Sequence, residues 1–166
     1  MRTRSEQSAA IRADQQLWRN LAAEVTPARY AEPGPMGEWS FADMAGHLTG
    51  WRNRTIARLE AFGRGEPEPP NPWPADLDAV ADGDDAINDW IHAQHAGRPP
   101  AQLVGDYEAS YDRLIAALDL VPDAKLNEPN AIPWLEGAAI VDVDFTGHLH
   151  DEHLPSVRTW LEARSH

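Results

Sequence analysis

Apolar residues recur at helical spacing in three long stretches of the chain. They repeat every three or four positions over residues 5–25, 40–62 and 100–118, which predicts three amphipathic α-helices. Ser5 and Ser40 precede the first two patterns and are the predicted N-caps. The alternation of apolar and polar residues that marks a half-buried strand is absent, so no β-hairpin is predicted.

The remaining segments are proline-rich connections and two further helices. Residues 66–76 contain five prolines and predict a stiff, extended crossover, in which Trp73 is expected to close a pocket. A short helix is predicted over residues 84–95 and a loop over 121–134. A continuous last helix is predicted over residues 137–163, with Pro155 kinking it.

These elements predict an all-α fold with a single domain over residues 1–166. A chain of this length buries enough surface to fold without covalent cross-links. It contains no cysteine, which excludes disulfides and thiolate metal sites. No apolar run is long enough for a membrane span or a signal peptide, so a cytoplasmic location is predicted.

Net charge limits the range of partners. The formal net charge of −13 would repel phosphate backbones, so nucleic-acid binding is not expected. Helix faces could also pair two copies of the chain, and Trp160 near the end of the last helix is a candidate contact for such a homodimer.

Histidines are concentrated where the last helix is predicted. His148, His150 and His153 lie within six residues of one another, and His47 lies in the middle of the second helix. In an α-helix, residues three apart share a face, so His150 and His153 could point at one metal ion. His148 would then face solvent. We therefore predict that His47 completes the site from another helix.

Three neutral imidazoles suit Zn²⁺, Ni²⁺ or Fe²⁺ and leave coordination positions for water or a substrate thiolate. The simpler interpretation is a solvated, histidine-rich segment without a metal. Against it, His150 occupies a predicted core position, and a buried imidazole needs a partner. Other polar groups point to chemistry less clearly: Glu152 is expected at the surface, as are His92 and His95 on the short helix.

Two segments resemble a known family. The stretch WSFADMAGHL, which ends with His47 and Leu48, and the stretch HDEHLPSVRTWL, which begins at His150, resemble the signatures of the DinB-like (YfiT-like) metalloenzyme superfamily. The resemblance implies a four-helix bundle, up-down-down-up, with a short extra helix in the crossover. It also implies a divalent metal held by His47 and by two ligands from the last helix.

Relatives in this family include S-transferases that use a low-molecular-weight thiol such as mycothiol or bacillithiol. The resemblance therefore implies a detoxifying transferase with a small-molecule substrate, in a pocket for which Trp51, Trp73 and Trp90 are candidates. A metal-dependent hydrolase of a reactive electrophile and a non-catalytic binding bundle are the alternatives.

One departure from the family pattern bears on the ligand set. The family usually spaces its last two ligands four residues apart, but Leu149 stands four residues before His153. Two solutions are open: His150 replaces the missing ligand, or a π-bulge lets His148 reach the metal from five residues away. If neither occurs, only two ligands remain.

Overall fold

Helices dominate the computed structural model, which describes residues 2–80 and 83–163 of the chain. The all-α class predicted from the sequence is therefore confirmed. The α-helices are α1 (Arg4–Val25), α2 (Phe41–Arg64), α3 (Gly83–Gln94), α4 (Pro100–Leu120), α5 (Asp123–Leu126) and α6 (Leu154–Glu162). A π-helical segment (His148–His153) leads directly into α6, and short 3-10 turns occur at Pro27–Arg29, Leu77–Ala79, Pro133–Leu135 and Ile140–Asp142.

Both long N-terminal helices begin with a capping box. Ser40 caps α2 as predicted: its hydroxyl accepts a hydrogen bond from the backbone N–H of Asp43, whose carboxylate accepts one from the backbone N–H of Ser40. The predicted cap of α1 is wrong, because Thr3, and not Ser5, makes the reciprocal bonds, with Glu6. Ser5 lies inside the first turn.

A short antiparallel hairpin precedes α2, contrary to the prediction that the chain has none. Its strands are β1 (Pro33–Gly34) and β2 (Gly37–Ser40). Strands of two and four residues are too short to show an alternating pattern, which is why the sequence did not reveal them. The hairpin leads the chain into the capped start of α2.

The main core lies between α2, α4 and α1. The contacts of α2 with α4 are the most extensive in the described structure. Trp18 of α1 stacks on Phe41 with ring centroids 4.8 Å apart and meets Tyr107 of α4 edge-on at 4.6 Å. All three side chains are fully buried, and burial of large aromatic rings supplies much of the hydrophobic free energy of such a core.

The predicted continuous last helix is wrong for residues 137–147. Gly137 has φ 96°, and the chain then forms the 3-10 turn Ile140–Asp142. The Asp144 carboxylate accepts hydrogen bonds from the backbone N–H and the hydroxyl of Thr146, a local turn that competes with helix formation. Helical structure therefore begins only at His148.

Pro155 lies in the first turn of α6, directly after the π-helical segment, and the kink predicted there stays a prediction. Trp160 of α6 is 8% exposed and packs beneath the guanidinium of Arg29, 4.4 Å from its carbon to the ring centroid. The homodimer predicted through Trp160 stays a prediction. None of the helices in the described ranges has the length and apolar content needed to cross a membrane.

Candidate metal centre

Three imidazoles from two distant parts of the chain converge. The Nε2 atom of His148 lies 3.1 Å from Nε2 of His47 and 3.1 Å from Nε2 of His153. One ring nitrogen from each residue lies within 4.8 Å of the other two, so the three could hold one metal ion. His47 and His153 are 3% and 8% exposed, whereas the side chain of His148 is 31% exposed and opens the cluster on one side.

The rigid start of α2 places His47. The Ser40 capping box begins this helix, and the buried side chains of Met44 and Leu48 hold its inner face in the core. The His47 ring lies against Trp39, with centroids 5.8 Å apart, and its Nδ1 atom is buried without a hydrogen-bond partner in the described structure. Packing therefore orients this imidazole and leaves Nε2 pointing at the other two histidines.

The π-helical segment places the other two histidines. In an α-helix, residues five apart are separated by about 140° around the axis and face different directions. In the segment His148–His153 the backbone N–H of Leu154 instead bonds to the carbonyl of Leu149, five residues earlier. This wider turn brings His148 and His153 onto one face.

His150 lies elsewhere, although the sequence favoured it as a ligand. Its Nε2 atom makes a close ion-pair contact with the carboxylate of Asp14 on α1, which is 3% exposed. The π turn explains the difference, because it removes the three-residue periodicity that would have put His150 and His153 on one face. Of the two solutions left open by the sequence, the structure thus shows the five-residue one, with His148 beside His47 and His153.

All three clustered histidines favour the neutral form. Burial lowers the pKa of His47 to about 3 and the pKa values of His148 and His153 to about 4. The repulsion that each protonated ring would feel from its neighbours lowers the pKa values of His47 and His153 further. At neutral pH the imidazoles therefore carry no charge, which is the state that binds a metal.

The distances and the donor set fit a metal ion. Nitrogen ligands placed ~2.1 Å from one ion stand roughly 3.0–3.4 Å apart at octahedral or tetrahedral angles, close to the 3.1 Å observed for both contacts of His148. Without an ion, Nε2 of His148 carries at most one hydrogen, so it cannot donate a hydrogen bond to both His47 and His153. A cation would resolve the remaining contact between lone pairs.

The cluster opens into a cavity of about 520 Å³. Its wall combines apolar side chains, including Leu48, Trp51 and Trp134, with polar groups of which Arg52 and Glu152 are the most distinctive. A carboxylate oxygen of Glu152 lies 3.5 Å from Nε2 of His148, so this side chain faces the cluster although the sequence suggested only a surface position.

The three tryptophans predicted for the substrate pocket differ in position. Trp51 lines the cavity, and its indole N–H donates to Asn88 at 2.9 Å. Trp73 is 4% exposed and meets Trp51 edge-on at 5.0 Å, so it supports the wall from behind. Trp90 packs with Trp73 in a small apolar cluster around Ile91.

The sequence analysis also missed Arg52. A signal for it existed: Arg52 lies four residues from both Leu48 and Ile56, in the middle of a buried stripe. A charged residue at such a position is unusual and commonly has a specific role.

Comparison with known proteins supports the family resemblance. The family model of the DinB superfamily matches residues 10–153. This range includes His47, His148 and His153, and it covers most of the chain. Searches of curated proteins and of solved structures found no match.

Proposed function

Because the chain belongs to the DinB superfamily and brings three neutral imidazoles to one point, we propose that it is a metal-dependent enzyme acting on a small molecule. His47, His148 and His153 would hold one divalent ion, with Zn²⁺, Ni²⁺ and Fe²⁺ as candidates. The observation that carries the proposal is the convergence of three Nε2 atoms at the wall of a cavity.

Transfer of a low-molecular-weight thiol to an electrophile is the first candidate reaction. When bound, the ion would supply Lewis-acid chemistry that lowers the pKa of a thiol or water at its open position. The apolar side chains of Leu48, Trp134 and Phe145 would exclude water from the electrophile. The choice of a mycothiol- or bacillithiol-type thiol rests on the family, whose members include S-transferases that use such thiols.

The arrangement of helices belongs to the same proposal. We propose that α1, α2, α4 and the C-terminal helical segment form the four helices of an up-down-down-up bundle, with α3 as the extra helix of the crossover. The contacts of α2 with α4 and of α1 with α4 support it. The histidine cluster would then lie between the second and fourth helices.

Hydrolysis is the second candidate, and the position of Glu152 favours it. Its carboxylate lies 3.5 Å from Nε2 of His148 and is 66% exposed, so it can exchange protons with solvent. A carboxylate at this distance from the cluster could take a proton from a water molecule during attack on an electrophile. Thiol transfer does not require this base, which makes the two reactions separable.

Metal binding can be tested directly on protein purified without a histidine tag. We expect about one equivalent of Zn²⁺ or Ni²⁺ after addition of the metal. Loss of partners that merely orient ligands costs ~10–100-fold in affinity, so removal of a ligand by His148→Ala should cost at least about 100-fold. His150→Ala is the matched control and should change affinity less than about tenfold, because His150 contacts Asp14. Equal losses in the two variants, or no binding by the wild type, would contradict the proposed centre.

The two reactions are distinguished by one substitution. With bacillithiol or mycothiol and 1-chloro-2,4-dinitrobenzene as the electrophile, the metal-loaded wild type should form the thioether, and Glu152→Gln should retain that rate. For hydrolysis, measured with p-nitrophenyl acetate, the same variant should have a rate about 100-fold lower than that of the wild type. If neither reaction exceeds that of the metal-free protein, a non-catalytic binding role replaces both.

A further inference from the structure

A buried positive charge lies in the wall of the same cavity. Arg52 of α2 is 7% exposed and lines the cavity together with His47, His148 and His153. After burial, the charge of Arg52 is the next cause of the lowered pKa of His148. The cavity therefore contains a fixed cation beside its candidate metal centre.

Neutral groups hold this guanidinium in place. It stacks over the rings of Tyr107 and Tyr111, 4.2 and 4.0 Å from their centroids. It donates hydrogen bonds to the hydroxyl of Tyr107 at 2.6 Å and to that of Ser110 at 3.0 Å. Within residues 2–80 and 83–163, Arg52 makes no ion pair with a carboxylate.

One buried acidic residue, Asp14, contacts one of these tyrosines. Asp14 accepts a hydrogen bond from the hydroxyl of Tyr111 at 2.6 Å, and that hydroxyl lies 3.4 Å from the hydroxyl of Tyr107. Tyrosine side chains therefore stand between Asp14 and Arg52, and Asp14 is already in contact with His150. The tyrosines fix the orientation of the guanidinium but do not neutralise it at the cavity wall.

We propose that Arg52 is the anion subsite of this cavity and binds a carboxylate group of the small-molecule substrate. A buried charge without an ionic partner is costly, and a planar guanidinium is well suited to paired hydrogen bonds with a carboxylate. The proposal rests on the proposed function only in treating the cavity as the substrate site. It gives that substrate a chemical class: an electrophile or ester that carries a carboxylate near its reacting centre.

The acidic residues of the cavity favour a monoanion over a phosphate. Asp84, Asp144 and Glu152 also line the cavity, and all three are exposed to solvent, whereas Arg52 is buried. A ligand in the cavity lies near these carboxylates, and the chain has a formal net charge of −13. Repulsion grows with ligand charge, so a dianionic phosphate is disfavoured more strongly than a carboxylate.

Binding to the metal-free protein tests the subsite separately from the metal centre. Sodium benzoate, benzamide and phenyl phosphate would be titrated into ¹⁵N-labelled, EDTA-treated protein at neutral pH and constant ionic strength. Benzoate and benzamide have similar shapes, and only benzoate is charged. We expect benzoate to bind at least about tenfold more tightly than benzamide and than phenyl phosphate. It should also shift the side-chain Nε–H resonance of Arg52.

Two variants on the same helix provide the comparison. Arg52→Met should abolish the preference for benzoate, and Arg54→Met should retain it. Arg54 stacks near Trp51 and Trp73, donates to Asn71, and is not among the described residues that line the cavity. The shift of the Arg52 resonance in the wild type does not depend on whether Arg52→Met folds.

Several results would overturn the anion subsite. The wild type could bind benzoate and benzamide equally, or phenyl phosphate more tightly than benzoate. Arg52→Met and Arg54→Met could lose the preference for benzoate to the same extent, or benzoate could leave the Arg52 resonance unshifted. Because the protein is metal-free in these titrations, such a failure leaves the metal measurement untouched. Conversely, if the protein binds benzoate but no metal, the anion subsite is supported and the proposed metal-dependent activity is contradicted.

Discussion

At the scale of single residues, the three clustered imidazoles make the metal-free protein sensitive to acid. In the unfolded chain a histidine takes up a proton near its ordinary pKa of 6.5, but in the folded protein His47 does so only near pH 3. Between these values the unfolded state binds more protons, so the free energy of unfolding falls as the pH falls. His148 and His153 act in the same direction, down to about pH 4.

The prediction is a difference in pH dependence between two proteins. Between pH 6.5 and pH 4, the buried His47 alone should cost the metal-free wild type about 3 kcal/mol of stability. Urea unfolding in EDTA at several pH values measures this cost, and His47→Gln should have a shallower pH dependence. Parallel curves for the two proteins would show that His47 titrates normally in the folded state.

Also at this scale, the sequence predicted part of the histidine cluster. His47 and His153 were the positions that the family signatures marked most clearly, and the structure brings their rings to a centroid distance of 5.2 Å. Helical periodicity also selected His150, because it assumed a regular α-helix. Whether a ring faces the cluster or Asp14 depends on the local winding of the backbone, which side-chain spacing does not report.

At the scale of elements, the π-helical segment determines which histidines face the cavity. It has one residue more between His148 and His153 than the four-residue spacing typical of the family. A π turn is commonly an α-helix that has accepted one extra residue. The exposed Asp151 lies between the two histidines, so its removal takes no buried side chain from the core.

Deletion of Asp151 should convert the segment to a regular α-helix and preserve the site. His148 and His153 would then be four positions apart and share a face. We expect Zn²⁺ affinity within about tenfold of the wild type, since ligand identity and count are unchanged. A matched deletion of Ser156, which lies after both histidines, leaves their spacing at five. Loss of metal binding in the Asp151 deletion alone would show that the wider turn itself is required.

At the scale of the whole molecule, Asp14 and Glu24 of α1 each contact a basic side chain of the C-terminal segment in the described structure. Asp14 meets His150 in a buried setting, and its other carboxylate oxygen accepts the hydroxyl of Tyr111 at 2.6 Å. Glu24 meets Arg158, with both side chains about half exposed. The two pairs join the same parts of the chain and differ mainly in burial.

Burial should therefore decide what each pair contributes to stability. Asp14→Ala removes the acceptor that lies 2.6 Å from a buried tyrosine hydroxyl and should lower the free energy of unfolding by about 2 kcal/mol. Glu24→Ala removes an exposed pair and should change it by less than about 1 kcal/mol. Chemical denaturation of both variants near neutral pH makes the comparison. Equal effects would mean that the Asp14 network does not hold the C-terminal segment in place.

The sequence by itself determined the local features of this protein. Helical periodicity located α1, α2 and α4 to within a few residues, and the Ser40 capping box could be read from two residues three positions apart. These features depend on neighbours along the chain, so they are visible in it. The same holds for the proline-rich crossover, since proline restricts its own backbone.

Only the tertiary structure decided the features that depend on distant partners. Asp14 of α1 is far from His150 along the chain, yet the two side chains are in contact. The burial of Arg52 beside the histidines depends on Tyr107 and Tyr111, which belong to another helix. The winding of the backbone and the burial of a side chain depend on the sum of such contacts. The pattern of residues along the sequence gives neither the direction nor the distance of these contacts.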